Sequence, residues 1–321
     1  MTRYLFSMAL HSLVIPVFNE HDGLNALFER VKNVCDRVES EVAGTTEVIL
    51  VNDGSQDGST ERLDELPGRD RRFKILHLSR NFGHQVAITA GLEWARGETV
   101  TVMDADLQDP PEVIVDLVKK WKEGAEVVYA VRRTREGETA FKLWTASMFY
   151  RTIRKLTNVD IPLDTGDFRL MDRKAVDAFL KMPERHRFVR GMVSWVGFRQ
   201  VGVPYDRASR KHGETHYPFK KMLKFALDGV TAFSMIPLQL ATYIGVFSAA
   251  FSFLGILYIL YLRFLTDRTI QGWTSLMVVV LFIGGAQLLA LGVIGEYLGR
   301  TYDETRRRPL YIIGRSKGFE L

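Results

Sequence analysis

Two aspartates separated by one residue, Asp104 and Asp106, are the side chains best suited to chemistry in this chain. They follow an apolar run that ends at Met103 and is typical of a β-strand. In an extended segment, residues i and i+2 point to the same side, so both carboxylates can bind one cation, with the amide oxygen of Gln108 next in line. Such oxygen ligands suit Mg²⁺ or Mn²⁺ carrying a phosphorylated substrate. The alternative is a strand followed by an ordinary acidic turn.

A further carboxylate, Asp53, lies in the turn-rich segment Asn-Asp-Gly-Ser at residues 52–55. Gly54 lets the backbone approach a ligand closely, so Asp53 can accept hydrogen bonds from a base or a ribose. An Asx turn that caps the following helix is the alternative interpretation.

Asp167 and Arg169 alternate along a predicted strand, beside Gly166. This spacing suits an acid next to a reacting centre and a guanidinium next to an anionic acceptor. A structural ion pair is the alternative.

Basic side chains crowd a glycine-containing segment of ten residues: Arg207, Arg210, Lys211, His212 and His216. Such a loop can bind a pyrophosphate or a lipid phosphate. His212 and His216 lie four residues apart, but no third ligand candidate accompanies them, so a zinc site is not expected.

Strand-like runs alternate with helical patterns through the N-terminal part of the chain. The predicted strands are Leu13–Val17, Val48–Val51, Lys74–Leu78, Val100–Met103 and Val127–Val131, and the predicted helices lie near residues 22–39, 57–65, 84–95 and 111–122. This alternation indicates βαβ units on a mostly parallel sheet. Because ligands bind outside the carboxyl ends of such strands, we expect the polar residues that follow the first four strands to meet at one edge.

Two uncharged stretches, Gly229 to Leu262 and Thr269 to Gly295, are each long enough to cross a bilayer as a helix. We expect two transmembrane helices near residues 237–262 and 273–295, with a buried helical hairpin as the alternative. Lys and Arg residues lie both before the first of these helices and after the second. Because excess Lys and Arg stay on the cytoplasmic side, we expect the N-terminal domain and the C-terminal tail to lie in the cytoplasm. The net charge of +5 then indicates attraction to an anionic membrane surface.

The expected organisation has four parts. These are a cytoplasmic α/β domain over residues 1–218, an amphipathic interfacial helix over 219–235, two transmembrane helices within 236–298 and a cytoplasmic tail over 299–321. Residues 139–156 also combine aromatic and basic side chains at helical spacing, which suits either an interfacial helix or a helix packed on the domain.

Composition excludes several classes of protein and site. No basic stripe with interleaved aromatic residues suggests a nucleic-acid partner. Cys35 is the only cysteine, so an intrachain disulfide and a cysteine-based metal site are excluded, and a reducing compartment is consistent. The first ten residues contain no cleavage-like segment, so no signal peptide is expected.

Seven ordered segments together carry a family resemblance: Ile15 to Glu20, Asn52 to Ser55, Arg80 to Gly83, Asp104 to Pro111, Gly166 to Leu170, Arg210 with Gly213 to Thr215, and Gly295 to Arg300. With them the chain resembles, over almost its whole length, the inverting family 2 glycosyltransferases of the polyisoprenyl-phosphate type. That group includes dolichol-phosphate mannose synthase and the bactoprenol glucosyltransferases. The two predicted membrane spans point to the bacterial glucosyltransferase subgroup.

The resemblance implies a GT-A (Rossmann-like) fold that binds a nucleotide-sugar. The residues it places at the nucleotide-sugar are Pro16, Val17, Glu20, Asp53, Arg80, Asp104, Ala105, Asp106 and Arg210. The implied metal ligands are Asp104, Asp106 and Gln108, and the implied catalytic residues are Asp167 and Asp106. The side chains expected at the acceptor phosphate are Arg169, Arg207, Lys211 and His216.

Two positions depart from the family pattern. Asn52 replaces the first acid of a frequent Asp-Asp-Gly-Ser, which weakens any role for that position but leaves Asp53 in place. His216 stands where a lysine commonly follows Gly-Glu-Thr, so a phosphate contact there would depend on pH.

The resemblance implies metal-dependent, inverting transfer of a sugar, glucose in this subgroup, from a UDP-sugar to undecaprenyl phosphate. The expected setting is the cytoplasmic face of the inner membrane, in a multi-pass homotetramer that serves cell-envelope or O-antigen modification. A phosphate monoester has a second pKa near 6, so the acceptor is already largely ionised at neutral pH. We therefore expect Asp167 to orient the acceptor or the metal more than to remove a proton.

Two other functions remain open from the sequence. A processive polysaccharide synthase usually carries a Gln-x-x-Arg-Trp motif and more spans, and the segment Arg190 to Trp195 does not match that motif. A catalytically silent nucleotide-binding membrane scaffold is the other alternative, and the intact Asp104, Asp106 and Asp167 argue against it.

Overall fold

The computed structural model describes residues 11–42, 44–133, 165–206, 236–265 and 272–319, which divide between two compact units. The first unit contains the described residues up to 206 together with residues 308–319. The second unit contains the described residues between 236 and 307.

Eight strands form a single sheet in the first unit. They are β1 (His11–Val17), β2 (Thr46–Asn52), β3 (Phe73–Leu78), β4 (Thr99–Val102), β5 (Val127–Arg132), β6 (Thr165–Asp172), β7 (Gln200–Tyr205) and β8 (Ile313–Lys317). Their order across the sheet is β7-β5-β6-β4-β1-β2-β3-β8. Strands β4, β1, β2 and β3 are mutually parallel, β5 is parallel to β7, and β6 and β8 run antiparallel to their neighbours.

Six helices of the described residues accompany this sheet: α1 (Leu24–Val42), α2 (Ser59–Arg69), α3 (His84–Trp94), α4 (Val113–Lys122), α5 (Arg173–Leu180) and α6 (Val189–Trp195). The central strands β1, β2 and β3 are buried along almost their whole length because helices cover both faces of the sheet there. On one face, Leu13 and Ile15 of β1 pack in a common core with Leu27 of α1. On the other face, Val14 and Val51 lie against Gly91 of α3, where no larger residue fits.

Two long helices form the described part of the second unit: α7 (Ile236–Leu265) and α8 (Trp273–Thr305). Each contains a window apolar enough to cross a membrane by length and composition, at Leu238–Gly255 and Phe282–Thr305. Large apolar side chains such as Phe247, Leu254 and Leu288 are more than half exposed on these helices. Exposed apolar surface on this scale requires a covering partner or an apolar solvent.

The predicted fold class is confirmed: a mostly parallel α/β sheet of GT-A type is followed by two long apolar helices. Residues 219–235, predicted as an interfacial helix, lie outside the described residues. So do residues 139–156, for which an interfacial helix and a helix packed on the domain were both open. Strands β7 and β8 were not predicted. Within the stretch expected to be a tail, residues 299–321, α8 continues to Thr305 and β8 adds the last strand of the sheet.

Candidate functional site

The loops that follow β1 and β2 are held together by hydrogen bonds between backbone and side chains. The Asn19 N–H donates to Ser55 Oγ at 3.0 Å, and Asn19 Oδ1 accepts from the Gln56 N–H at 2.9 Å. The His21 N–H donates to Asp57 Oδ2 at 3.0 Å. Asn19 has a φ of 56°, a left-handed conformation that asparagine tolerates better than most residues. The two loops therefore form one preorganised surface at the sheet edge.

Asp53 joins this surface to the loop after β3. Its buried carboxylate accepts from the Phe82 N–H at 2.7 Å and from the Gly83 N–H at 2.9 Å. The Asp53 carboxylate therefore holds the loops after β2 and β3 together. It is not the cap of helix α2. Burial raises the pKa of Asp53, and the two backbone hydrogen bonds oppose that rise. Gly54 has a φ of +72°, and a Cβ there would lie 2.6 Å from the Arg80 carbonyl carbon.

Asp104 and Asp167 converge because of the register between β4 and β6. The antiparallel pairing sets Val102 opposite Arg169. Asp104 lies two residues after Val102 and Asp167 two residues before Arg169, so both lie at the same end of the strand pair. His84, the first residue of α3, contacts both carboxylates, with Nε2 3.4 Å from Asp104 Oδ1 and 3.3 Å from Asp167 Oδ2. His84, which was not predicted, therefore links the two predicted site residues Asp104 and Asp167.

Asp104 accepts no hydrogen bond at Oδ1 from the residues that the structure describes, although this atom is buried and lies 3.4 Å from His84 Nε2. Burial raises the pKa of Asp104 to about 6, and although His84 opposes this, the charges of Asp167 and Asp106 add to it. A half-buried carboxylate that has acidic neighbours and an oxygen accepting no hydrogen bond from the described residues is an environment that a cation would stabilise.

The chain turns at residues 105–106, so the expectation that Asp104 and Asp106 lie in an extended segment is wrong. Leu107 follows with a φ of 55°, and Asp106 Oδ1 accepts from the Gln108 N–H at 3.0 Å, which closes the turn. Asp106 is exposed, Asp104 is half-buried and Gln108 is buried. Hydrogen bonding of the Asp side chain to the backbone two residues on favours this turn over a continued strand.

Asp167 is held by donors from two helices, α3 and α6. Arg190 of α6 donates from Nε to Oδ1 at 2.8 Å and from its NH2 group to Oδ2 at 3.3 Å. Gln85 donates from Nε2 to Oδ2 at 3.2 Å, and its Oε1 accepts from the Val189 N–H at 2.9 Å. Burial alone would raise the pKa of Asp167, but Arg190 and His84 outweigh it and hold the pKa well below its usual range.

Arg169 does not reach the surface where an acceptor would bind. It is 3% exposed, and its NH2 group donates to the Gly166 carbonyl oxygen at 2.9 Å. Burial lowers the pKa of its guanidinium to about 10, and Asp167 opposes that shift. The structure therefore places Arg169 beneath the site as a support for the β6 end, in contrast to the expected contact with an acceptor phosphate.

A second buried carboxylate, Asp109, lies directly after Gln108. The Tyr205 hydroxyl donates to Asp109 Oδ1, and the Arg132 NH2 group lies 3.8 Å from Asp109 Oδ2. Arg132 Nε donates to the Tyr205 hydroxyl at 3.3 Å. These contacts tie the end of the aspartate turn to the ends of β5 and β7.

The remaining predicted residues divide into three groups. Pro16, Val17 and Ala105 are buried in or beside β1 and β4, and Glu20 is half-buried and donates its N–H to Ser59 Oγ at 3.1 Å. Arg80 is exposed and stacks over Phe82 at 4.0 Å from the ring centroid. The residues that lie outside the described part of the chain are Arg207, Arg210, Lys211, His212 and His216.

Sequence reasoning missed His84, Gln85 and Arg190. His84 and Gln85 directly follow the Arg80–Gly83 segment, and the first residues of a helix after a parallel strand face the ligand crevice, so their position was a usable signal. Arg190 had no local signal, because its partner Asp167 lies on another strand.

Comparisons with known proteins agree on one family. The sequence profile of the family "Glycosyl transferase family 2" matches residues 12–180. An uncharacterized glycosyltransferase of Bacillus subtilis, YkcC, is 53% identical over 97% of this chain and 95% of its own length. A prophage bactoprenol glucosyl transferase homolog of Escherichia coli K12 is 40% identical over 95% of this chain and 99% of its own length.

A solved structure is also similar to this chain. Glucosyl-3-phosphoglycerate synthase from Mycobacterium tuberculosis, solved with Mn²⁺, UDP-glucose and phosphoglyceric acid, is 18% identical, with a TM-score of 0.45. The match covers 70% of this chain and 78% of that chain.

Proposed function

Since this chain belongs to glycosyl transferase family 2, we propose that it transfers glucose from UDP-glucose to undecaprenyl phosphate, a polyisoprenyl phosphate. Relatives named as bactoprenol glucosyl transferases are 40% identical over 95% of the chain, which supports both the sugar and the lipid carrier. The observation on which the proposal rests is the convergence of Asp104 and Asp167, with their partners His84 and Arg190, at the carboxyl edge of the sheet.

The donor would bind at the joined loops after β1, β2 and β3. Ser55, Asn19 and Asp53 hold these loops in one arrangement before a ligand arrives, so little ordering is left to do on binding. Arg80 is exposed beside them and supplies a positive charge for the nucleotide.

A divalent cation, Mg²⁺ or Mn²⁺, fits the aspartate turn. Asp104 and Asp106 would hold it with Gln108, and the buried Asp104 Oδ1 accepts no hydrogen bond from the described residues. No group of three or more His, Cys, Asp or Glu suited to a metal occurs among the described residues. In this proposal the donor diphosphate supplies further ligands to the ion. Mg²⁺ is commonly bound in this way, through one or two carboxylates and substrate phosphates. When bound, it would stabilise the negative charge that develops on the leaving diphosphate.

In the proposed reaction, an oxygen of the acceptor phosphate forms a bond to the anomeric carbon while the bond from that carbon to the diphosphate breaks. The bonding electron pair leaves with UDP, and attack from the opposite side inverts the configuration. Since the acceptor oxygen is already ionised, no proton needs to be removed. Asp167 is held as a carboxylate by Arg190, which suits orientation of the reactants better than general-base catalysis.

The acceptor would arrive from the bilayer. We propose that α7 and α8 cross the inner membrane and that the first unit lies on its cytoplasmic side, since the apolar faces of both helices are exposed. Arg210, Arg207, Lys211 and His216 remain our candidates for the phosphate of the lipid. The chain is proposed to act as a homo-oligomer.

The proposal can be tested with membranes from cells that express the chain, mixed with undecaprenyl phosphate and a panel of labelled UDP-sugars. The panel contains glucose, galactose, N-acetylglucosamine and a 4-amino-arabinose derivative. We expect labelled lipid from UDP-glucose only, lost with EDTA and restored by Mg²⁺ or Mn²⁺. A labelled polymer would support a processive synthase, and the absence of any product would support a silent scaffold.

A further inference from the structure

The C-terminal strand, β8, forms the edge of the sheet beside β3. The donor loops, which are the loops after β1, β2 and β3, lie in that half of the sheet. Strand β8 pairs antiparallel with β3, with Leu76 opposite Ser316 and His77 opposite Arg315. The Ser79 N–H donates to the Ile312 carbonyl oxygen at 2.9 Å, which extends the pairing to the start of the Arg80 loop. Only seven residues separate β8 from the end of α8 in the chain.

A continuous set of side-chain contacts leads inward from β8. Arg315 donates from its NH2 group to Asp64 Oδ2 of α2 at 2.5 Å. Asp64 Oδ1 lies 3.1 Å from His77 Nε2, and His77 Nδ1 lies 3.0 Å from Asn52 Nδ2. Arg315 is half exposed, whereas His77 and Asn52 are buried. The contacts therefore connect the outer edge of the sheet with the end of β2.

The hydrogen-bonding role of each atom in this set follows from Asn52. Its Oδ1 accepts from the Ser55 N–H at 3.0 Å, so its Nδ2 is the donor to both Thr60 Oγ1 and His77 Nδ1. His77 Nδ1 is then an acceptor, and Nε2 carries the proton that is donated to Asp64. An aspartate at position 52 would face His77 Nδ1 with a second acceptor. The amide of Asn52 therefore suits this position beside His77.

The inner end of the network is the donor loop itself. Asn52 holds the Ser55 N–H, Ser55 Oγ accepts from Asn19, and the intervening Asp53 holds the Phe82 and Gly83 N–H groups. A shift of Asn52 would therefore move all three loops that form the proposed nucleotide surface.

We infer that Arg315 and Asp64 are positioning residues for the donor nucleotide, acting through His77 and Asn52, and that β8 is part of the donor-binding apparatus. The inference rests on the proposed function, since it assigns the donor to these loops. Neither residue contacts the reactants. Their effect is to hold His77 in one tautomer and the Asn52–Ser55 loop in one place.

The test measures donor KM and kcat separately in Arg315→Gln and Asp64→Asn. We expect donor KM to rise about three- to tenfold in each, the size of one lost hydrogen bond, while kcat changes less than about twofold. The double variant should match the more affected single variant, because both act through the same contacts. Tyr311→Phe is the matched control: it removes the hydrogen bond from Tyr311 to Glu93, also made by the C-terminal segment but away from His77, and should leave donor KM unchanged.

The pH dependence of donor KM separates positioning from a general loss of stability. Burial lowers the pKa of His77, and Arg315 and Lys317 of β8 lower it further, while Asp64 of α2 opposes them. Loss of Arg315 raises the pKa of His77, so more of the His77 side chain would be protonated at mildly acidic pH. A proton on Nδ1 would then face the donating Nδ2 group of Asn52. The ratio of donor KM between Arg315→Gln and the wild type should therefore be larger at pH 6 than at pH 8.

The outcomes are distinct. Equal donor KM in Arg315→Gln, Asp64→Asn and the wild type would overturn the inference, as would an equal rise in Tyr311→Phe. Absence of transfer by the wild-type protein would instead overturn the proposed function. Binding of UDP measured by calorimetry then decides the inference by itself, with weaker binding expected in Arg315→Gln and unchanged binding overturning it.

Discussion

Arg190 sets the state of Asp167 in the centre of the site. Its paired contacts with both carboxylate oxygens fix the direction of Asp167 and keep it ionised despite complete burial. Arginine forms such a two-point contact, and lysine cannot reproduce it. The proposed role of Asp167 of β6 as an orienting group therefore depends on a residue of helix α6.

Replacement of Arg190 tests this dependence. We expect kcat to fall by about a hundredfold in Arg190→Gln and at least about tenfold in Arg190→Lys, the range for loss of a positioning contact, with donor KM nearly unchanged. Steady-state kinetics with both substrates varied supply the measurement. Arg199→Gln, at an exposed arginine of the same domain, is the control. Wild-type kcat in Arg190→Gln would remove Arg190 from the account.

His11 provides a residue-scale test of stability against pH. It is buried beside Thr99, its Nε2 has no partner among the described residues, and burial lowers its pKa from 6.5 to about 4. Above pH 6.5 both the folded and the unfolded chain hold His11 neutral. As the pH falls from 6.5 to 4, only the unfolded chain takes up the proton, so the folded state loses on the order of 3 kcal/mol.

Thermal unfolding of the purified protein across this pH range checks the prediction for His11. The midpoint should fall more steeply for the wild type than for His11→Gln. Identical pH profiles for the two proteins would show that another group is responsible.

At the scale of elements, the loops after β2 and β3 are held together by one close approach of their backbones. At Gly54 both the φ of +72° and the 2.6 Å distances from a Cβ to Arg80 C and Asn81 N exclude a side chain. We expect Gly54→Ala to destabilise the first unit by about 1–3 kcal/mol, because strain at such a conformation adds to the collision. Donor KM should rise as well, since the loops after β2 and β3 must separate.

A matched glycine replacement is available in the same domain. Gly68 lies in α2 with no atom near the position of a Cβ, so Gly68→Ala should be neutral or stabilising. Chemical denaturation of the two variants gives the comparison. A Gly54→Ala protein as stable as Gly68→Ala would contradict the close packing of these loops.

Much of the first unit could be predicted at the level of elements, because strands covered on both faces are continuous apolar runs between polar turns. The five predicted strands coincide with β1 to β5, and the strand predicted around Asp167 is β6. Strand β8 has no such pattern: four of its five residues are exposed, and its partner β3 lies more than 200 residues earlier. The site residues at the strand ends could be predicted from the sequence. Contacts such as that of Arg190 with Asp167 could not, because they depend on tertiary packing.

At the scale of the whole molecule, the chain combines a domain with a buried core and a unit whose apolar side chains are exposed. The described residues up to 206, before α7, and residues 308–319, after α8, both belong to the first unit, in which β8 joins the sheet. A chain that crosses the membrane twice returns to its starting side, so this arrangement agrees with two spans.

Cysteine labelling in intact cells tests the two-span topology. Cys35 is buried, and burial raises the pKa of its thiol to about 11, so the native chain should not react. We expect Thr269→Cys, between the two helices, to react with a membrane-impermeant maleimide in intact cells. Ser316→Cys should react only after the cells are opened. Labelling of Ser316→Cys in intact cells would place the sheet domain outside.

The most direct measurement of the central claim uses the purified protein in liposomes with undecaprenyl phosphate, labelled UDP-glucose and Mg²⁺. The wild type should produce glucose-labelled lipid that is extracted into organic solvent, with the anomeric configuration inverted relative to the donor. Asp104→Asn should lose at least about a hundredfold in rate, because the site then lacks a carboxylate needed to hold the ion at the diphosphate. Labelled lipid formed by Asp104→Asn at the wild-type rate would contradict the assignment of this edge of the sheet as the site of transfer.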